Sequence, residues 1–351
     1  MRSTKIAFVL QGALLVVLSI IFERVLEELR LPAGLLLGPM AAAIVFAAAR
    51  TTVRIPAPLF MSGQAIIGCM IAGNITASIL HTMLADWPIF LAGVVAVVIA
   101  SNAFGWLLAR LRVLPGNTAL WGSSPGGATA MVLMSEAFGA DIRLVAFMQY
   151  LRVVFVAVVA TLVARFYATG SSAPAAILWF PHLPALAFAE TLALAAIGAI
   201  AGRLLRIPAG PLLIPLALGA LLHSTGAMTI VLPPWLLAGS YALVGWTIGL
   251  RFSRPILVHA AHAFPRVALS ILALIALCGG LAALLTDRLH IDPLTAYLAT
   301  SPGGIDSVAI IAASSSHVDI PFVMAMQTAR FLFVIFAGPP IVRFVARRIK
   351  A

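Results

Sequence analysis

Two copies of the tetrapeptide Ser-Pro-Gly-Gly interrupt long apolar segments of this chain, at residues 124–127 and 301–304. Proline removes a backbone donor and clashes with the preceding turn, and paired glycines disfavour a helix. In lipid, such a break is tolerated only where protein or a water-filled cavity covers the freed backbone groups. The two breaks therefore predict the functional centre of the chain, and the remaining segments are its scaffold.

The composition places the chain in a lipid bilayer. Hydrophobic residues make up 62% of it, charged residues only 9%, and the mean hydropathy is +1.11. A soluble domain carries about 25% charged residues, so the sequence predicts an all-α polytopic membrane protein. The formal net charge is +11, but the basic residues stand in short clusters between apolar segments, as in cytoplasmic loops. We expect an integral protein of the inner (cytoplasmic) membrane, with the lipid bilayer and no nucleic acid as partner.

Apolar segments of about spanning length form two sets of six. The first set lies at about 6–22, 33–49, 59–74, 87–109, 117–138 and 144–167. The second set lies at about 184–202, 207–224, 231–250, 264–286, 293–315 and 320–342. Between them, residues 168–183 carry no acidic or basic charge and several Gly, Ser and Pro residues. We predict a first membrane repeat at 1–167, a linker at 168–183 and a second membrane repeat at 184–351.

The two halves resemble each other in sequence. Leu-Pro-Ala-Gly at 31–34 corresponds to Ile-Pro-Ala-Gly at 207–210, an offset of 176, and Pro125 corresponds to Pro302 at an offset of 177. A nearly constant offset indicates a duplication almost without insertions, which is the pattern of many transporters.

Loop charges indicate that the second repeat is inverted relative to the first. In the first half, the basic loops contain Arg50, Arg54, Arg110 and Arg112. In the second half, the loops that do not correspond to these are basic, with Arg203, Arg206, Arg251 and Arg254. Under the positive-inside rule, corresponding loops then lie on opposite sides of the membrane. Inversion needs an odd number of crossings, so we predict about five transmembrane helices plus one re-entrant Ser-Pro-Gly-Gly hairpin per repeat, with both termini cytoplasmic.

The tips of the two hairpins are the predicted binding site for a solute. Half-helices that end at the membrane midplane present free N–H groups and a partial positive charge, and neighbouring hydroxyls add hydrogen bonds. A packing kink between close helices is the alternative. The predicted solute-binding residues at the tips are Ser123, Ser124, Pro125, Gly126, Gly127 and Thr129 in the first copy, and Ser301, Pro302, Gly303 and Gly304 in the second.

A glutamine and an arginine follow each break, as Gln149 with Arg152 and Gln327 with Arg330. A spacing of three places both side chains on one helical face. An arginine at membrane depth costs about 2.5–3.5 kcal/mol on insertion scales, and it is usually paired or lines a path. These four residues are predicted to bind an anionic solute. The alternatives are a clamp on backbone carbonyls or a structural salt bridge, for which Glu136 and Asp306 are the natural counter-ions.

Asp306, beside the second tip, is predicted to bind a coupling ion, Na⁺ or H⁺, together with the hydroxyls of Thr300 and Ser307. We predict no other cofactor and no structural or catalytic metal, because no histidine pair has metal-ligand spacing. The sequence contains no phosphate-binding loop, dinucleotide fingerprint or catalytic triad, so we predict no enzyme. Glu190 receives no role from the sequence.

The two motifs, Ser-Pro-Gly-Gly-Ala-Thr-Ala-Met and Ser-Pro-Gly-Gly-Ile-Asp-Ser-Val, each followed by Gln-x-x-Arg, resemble the AbrB-type family of duplicated membrane proteins. The resemblance covers about residues 10–345. Members are often labelled ammonia monooxygenases or AbrB family transcriptional regulators, but this sequence offers neither the metal ligands of the first nor the soluble DNA reader of the second. In plan, the chain also resembles the glutamate and 2-hydroxycarboxylate secondary transporters, which combine inverted repeats with glycine-rich re-entrant hairpins.

Together, these patterns favour a secondary transporter that moves a small anionic solute by ion-coupled alternating access. A membrane sensor with an indirect role in the regulation of gene expression is an alternative. An ammonium-related channel is another, although the paired arginines disfavour a path for cations. The sequence does not specify the solute, the coupling ion or the oligomeric state, and a homodimer is one of the assemblies that it allows.

Overall fold

The computed structural model of the chain describes residues 2–28, 34–49, 53–85, 87–167, 178–207, 209–303, 308 and 318–349. Within these ranges the regular secondary structure is helical, and no strand is present. The helices, in chain order, are α1 (Arg2–Glu28), α2 (Gly34–Ala48), α3 (Ala57–Gly73), α4 (Ala77–Ala85), α5 (Trp87–Arg110), α6 (Gly116–Ser123), α7 (Ala128–Ala137), α8 (Ile142–Tyr167), α9 (Ala185–Leu204), α10 (Gly210–Ser224), α11 (Pro234–Gly249), α12 (Arg254–Leu289), α13 (Pro293–Thr300) and α14 (Ile320–Ile349).

The helical bundle is that of a membrane protein, as the composition predicts. Five described helices are long and apolar enough to cross a bilayer, namely α5, α8, α9, α12 and α14, and the number rises to six if α3 and α4 form one span. Helices α2, α7 and α10 are apolar but shorter. The number of crossings per repeat and the inverted orientation stay predictions.

Prolines explain where several of these helices begin. Pro56, Pro115, Pro184 and Pro233 are the residues immediately before α3, α6, α9 and α11, and each has an extended ψ. At a helix start, the missing proline N–H removes a donor that would have no intrahelical acceptor anyway. The proline-rich connections therefore separate the apolar runs into distinct helices.

The first Ser-Pro-Gly-Gly motif interrupts helical structure where the sequence predicts. Helix α6 ends at Ser123 and α7 begins at Ala128. Ser124 has φ −55° and ψ 129°, and Ser301, which follows α13, has nearly the same φ −56° and ψ 136°. The proline ring disfavours the helical region for the residue before it, and the two glycines that follow disfavour a helix further, so each serine turns the chain out of its helix. Beyond Gly303, residues 304–307 and 309–317 lie outside the described part.

The chain folds into two compact units, each drawn from both halves of the sequence. Unit 1 contains residues 1–76 and 176–259, and unit 2 contains 77–175 and 260–351. The units therefore do not coincide with the predicted repeats at 1–167 and 184–351. The repeats describe a duplication in sequence, whereas each compact unit combines segments of both repeats. Of the predicted linker at 168–183, only residues 178–183 are described.

Unit 1 contains the same helix contact twice. Helix α3 packs on α10, and α11 packs on α2. At the first contact, a Cβ on Gly68 would lie 2.4 Å from the carbonyl oxygen of Leu212; at the second, a Cβ on Gly245 would lie 2.7 Å from that of Leu36. Both distances are too short for any side chain, so glycine is required at each crossing. Small residues of this kind allow close approach of membrane helices.

Unit 2 holds both Ser-Pro-Gly-Gly motifs and both Gln-x-x-Arg motifs. Helix α6 packs on α5 and α8, and α13 packs on α14 and contacts α8. Val97 and Ala100 of α5 form a buried cluster with Leu274 and Cys278 of α12. The two breaks therefore lie inside one compact unit, each against the long helix that follows it in sequence.

Candidate functional site

Each break is closed by the arginine and glutamine of the helix that follows it. Gln149 and Arg152 lie on α8, Gln327 and Arg330 lie on α14, and all four side chains are at most 3% exposed. The carbonyl groups of the last helical turn and of the residues after it have no intrahelical partner. These carbonyls are what the four side chains contact.

In the first copy, the guanidinium group of Arg152 clamps the chain as it leaves α6. Its Nη1 donates to the carbonyl oxygens of Ser124 at 2.7 Å and Ser123 at 3.3 Å. Its Nη2 donates to the carbonyl oxygen of Gly126 at 3.2 Å and to Oε1 of Gln149 at 2.7 Å. One side chain thus satisfies three carbonyls around the break.

In the second copy, Arg330 makes the same set of bonds. Its Nη1 donates to the carbonyl oxygens of Ser301 at 2.8 Å and Thr300 at 3.5 Å. Its Nη2 donates to the carbonyl oxygen of Gly303 at 3.3 Å and to Oε1 of Gln327. The duplicated sequence motif therefore corresponds to a duplicated hydrogen-bond pattern.

The glutamines complete both clamps. Each amide accepts from its arginine through Oε1, which orients the amide so that Nε2 points at the backbone of the break. Each Nε2 then donates to one carbonyl near the end of the preceding helix and one at the serine of the motif. The four accepting oxygens are those of Trp121 at 2.8 Å, Ser124 at 3.0 Å, Leu298 at 2.7 Å and Ser301 at 3.2 Å.

The two clamps differ at one atom. Nε of Arg330 donates to the carbonyl oxygen of Pro125 at 2.9 Å, which joins the clamp of the second copy to the break of the first. Nε of Arg152 is buried and has no hydrogen-bond partner among the described residues. A buried N–H without a partner carries a desolvation cost of about 1–3 kcal/mol, so the difference is energetically significant.

Neither buried guanidinium is paired with a carboxylate in the part of the chain that the structure describes. The partners of Arg152 and Arg330 are carbonyl and amide oxygens, and the two cations interact electrostatically with each other. Glu136 is exposed and is not among the partners of either arginine, and Asp306 lies outside the described residues. The carbonyl clamp, one of the alternatives from the sequence, is thus formed, and it leaves two positive charges inside the unit.

The predicted hydroxyl groups are mostly bonded within their own neighbourhood. Ser124 Oγ donates to Leu120 O at 2.9 Å, and Ser301 Oγ to Leu298 O at 3.2 Å. Thr129 Oγ1 lies 3.2 Å from the hydroxyl of Tyr150. The other predicted residues at the first tip, Pro125, Gly126 and Gly127, contribute backbone. Pro302 and Gly303 do the same in the second copy, whereas Gly304, Asp306 and Ser307 lie outside the described residues.

The structure adds two residues that the sequence analysis missed. Ser101 of α5 donates to the carbonyl oxygen of Ser123, and the carbonyl oxygen of Cys278 on α12 accepts from Thr300 Oγ1 at 3.1 Å. Positions 101 and 278 correspond at the repeat offset of 177, as do 123 and 300. Single polar or small residues inside apolar helices carry no signal by themselves, but the shared offset would have identified them as a pair.

Two further points concern the absence of a predicted metal site and Glu190, to which the sequence assigned no role. Among the described residues, no group of three His, Cys, Asp or Glu side chains is close enough to hold a metal ion. Glu190 is exposed in the second turn of α9, which is about 8 Å along the helix axis from its start. A carboxylate this near a helix end can reach the membrane surface.

The chain is similar to known proteins along most of its length. Residues 35–346 match the family model AbrB, described as "Transition state regulatory protein AbrB". A protein of Escherichia coli (strain K12) named "Putative regulator AbrB" is 50% identical over 341 residues, which cover 96% of this chain and 97% of that protein. "Uncharacterized protein YhjN" of Bacillus subtilis (strain 168) is 28% identical over 344 residues, which cover 89% of this chain and 88% of that protein.

Proposed function

The chain belongs to the AbrB family, and from that premise we propose that it is a secondary transporter of a small anionic solute. The proposal rests on one observation: two buried arginines, Arg152 and Arg330, without a carboxylate partner among the described residues. The solute is expected to bind where these two cations and the two Ser-Pro-Gly-Gly breaks come together in unit 2.

The clamps lower the free-energy cost of burying the guanidinium groups of Arg152 and Arg330. Backbone carbonyls have a partial negative charge and reduce the cost of burying a guanidinium group, but they do not neutralise it. An anion that enters the unit replaces part of its lost hydration with the attraction of two cations, and little reorganisation is needed because the clamps already hold both guanidinium groups in place. A solute with one or more carboxylates fits this electrostatic environment best.

The transport cycle that we propose is alternating access across two inverted repeats. In it, the two breaks are tips of re-entrant hairpins that reach the membrane midplane, and both termini face the cytoplasm of a cell whose inner membrane holds the protein. Such a site can open to either side with small changes because each repeat contributes an equivalent half. Na⁺ or H⁺ bound at Asp306, with Thr300 and Ser307, would couple solute movement to an ion gradient.

Uptake into proteoliposomes tests the proposal. A panel of labelled mono-, di- and tricarboxylates is offered under imposed Na⁺ and H⁺ gradients, and at least one is expected to accumulate. Arg152→Gln and Arg330→Gln should reduce uptake at least tenfold, because each removes a cation from the site. Arg143→Gln is the matched control, since Arg143 is partly exposed and bonded to Asp141. Absence of gradient-driven uptake across the panel would refute transport, and uptake by Arg152→Gln and Arg330→Gln equal to that of the control would refute the anion site at the two arginines.

The names of the relatives favour a second candidate, a membrane sensor that acts on gene expression through a partner protein. The family model and the Escherichia coli relative are both named as regulators. A sensor would bind the same anion without moving it. Ligand-dependent stabilisation of the purified protein, combined with no flux and with co-purification of one cytoplasmic protein, would support the sensor over the transporter.

A further inference from the structure

A small cavity in unit 2 lies beside Arg152 and is lined by donors that have no protein partner. Its polar lining comes from Ser123 of α6, Arg152 of α8 and Ser270 of α12, and its volume is about 10 Å³. The side chains of Met148 and Leu274 contribute to the apolar remainder of its wall. A volume of this size holds one water molecule or one atom-sized ion.

The unpartnered donors are the first reason to regard the cavity as a binding site. Nε of Arg152 is buried without a hydrogen-bond partner. Among the described residues, the hydroxyl groups of Ser123 and Ser270 have no partner either, although serines in helices usually bond a carbonyl one turn back. Arg152, Ser123 and Ser270 line the same small cavity, and a cation beside two hydroxyl groups favours an acceptor of negative charge.

The corresponding place in the other repeat is closed. There, Gly93, Thr300, Met326 and Arg330 are part of a wall that encloses no room for a water molecule. Positions 93 and 300 correspond to 270 and 123 at the offset of 177. Nε of Arg330 is bonded to Pro125, and Thr300 Oγ1 is bonded to Ala296 at 2.9 Å.

The difference between the two places is therefore chemical as well as steric. Glycine stands at position 93 where the open cavity has Ser270, and Met326 fills the space, since a Cβ on Gly93 would lie 3.1 Å from its methyl carbon. On the closed side every donor has a protein acceptor. On the open side Nε of Arg152 is buried without an acceptor, and the hydroxyls of Ser123 and the half-buried Ser270 line the same cavity, so an external acceptor would offset the cost of burying Nε.

We propose that the cavity beside Arg152 binds one small inorganic anion of about the size of a halide ion. The guanidinium Nε and the two hydroxyls supply its hydrogen bonds, and the charge of Arg152, which has no carboxylate partner in the described part of the chain, supplies the electrostatic attraction. The site goes beyond the proposed solute site, because a carboxylate does not fit a space of one atom. It stands whether or not the protein transports.

Thermal unfolding of the purified full-length protein in detergent tests the proposal. Sodium chloride or bromide is titrated against sodium gluconate at constant ionic strength, and the unfolding midpoint is expected to rise with halide and saturate. Ser270→Ala should weaken the apparent halide affinity about tenfold, because one hydrogen bond to an anion is lost. Ser123→Ala provides an independent second variant. Ser135→Ala is the matched control, since its hydroxyl donates to Val132 O within α7, and its halide response should equal that of the unmodified protein.

Anomalous scattering from crystals grown in bromide gives a direct readout. A peak within hydrogen-bond distance of Arg152 Nε and Ser270 Oγ supports the site. Density there without an anomalous signal would identify a water molecule and overturn the proposal. An unfolding midpoint that is indifferent to halide, or that responds equally in all three serine variants, would overturn it as well. Failure of the carboxylate uptake assay leaves each of these outcomes unaffected.

Discussion

Replacement of each clamp arginine by methionine should destabilise the protein unequally, with Arg330→Met the more severe. Methionine keeps much of the buried volume but removes every donor. In Arg152→Met, Ser124 O keeps its bond from Gln149, and Ser123 O keeps its bond from Ser101. Among the described contacts, the carbonyl of Gly126 and Oε1 of Gln149 lose their bonds from the arginine without a replacement.

In Arg330→Met, more carbonyl groups are left without a donor. Ser301 O keeps its bond from Gln327, but Gly303 O, Pro125 O and, through a longer bond of 3.5 Å, Thr300 O lose the donors that the structure shows for them. Loss of the Gly303 and Gln327 bonds matches loss of the Gly126 and Gln149 bonds in the other variant, and removal of a buried charge is common to both. The difference is then chiefly Pro125 O, and a buried unsatisfied acceptor costs about 1–3 kcal/mol. We expect Arg330→Met to be less stable than Arg152→Met by about this amount.

The assay is thermal unfolding of both variants in the same detergent and in gluconate buffer, so that no halide contributes to the comparison. A difference of about 1–3 kcal/mol corresponds to several degrees in the unfolding midpoint. Arg143→Met serves as a control for loss of an arginine outside the clamps. If the two clamp variants unfold at the same temperature, or if Arg152→Met unfolds first, the Arg330–Pro125 bond does not stabilise the unit as the structure implies.

Two further predictions follow from packing and from charge. Gly68→Val should lower the unfolding midpoint by several degrees, because its Cβ would lie 2.4 Å from Leu212 O. Gly239→Val is the control and should change the midpoint little, because no atom lies within 4 Å of its new Cβ. Similar losses for both variants would refute the close crossing of α3 and α10. Burial raises the pKa of the Asp141 carboxyl, but hydrogen bonds from Arg143 outweigh this and lower it below its ordinary value. Protonation then favours the unfolded state, so stability should fall as the pH drops below about 4, and Asp141→Asn should flatten this part of the profile.

Local chemistry made the main features of unit 2 predictable from the chain. The break between α6 and α7 follows from Pro125 together with Gly126 and Gly127, because proline disfavours a helical residue before it and paired glycines disfavour a helix after it. The shared face of Gln149 and Arg152 follows from a spacing of three residues in a helix. The sequence also left the carbonyl clamp open as an alternative to solute binding, and the structure shows that its bonds are formed. A role for Arg152 in solute binding stays a prediction that the uptake assay addresses.

Other features were beyond sequence reasoning because they depend on which segments meet. The predicted division at 168–183 follows the duplication, but the compact units combine the first three helices of each half in one body and the later helices of each half in another. Contacts between segments more than a hundred residues apart, such as that of Arg330 with Pro125, have no local signature. For the same reason, Ser270 went unnoticed as one hydroxyl in an apolar helix.

The sequence by itself determined that this chain is a helical membrane protein, where its helices are broken, and that each break is followed by a glutamine and an arginine on one face. These properties follow from hydropathy and from backbone sterics, which act over a few residues. Only the tertiary structure decided that the arginines bind the backbone of the breaks, that one of them also joins the two breaks, and that the other keeps an unpartnered donor beside a cavity. Hydrogen bonds are directional and short, so their partners are set by the packing of helices distant in sequence.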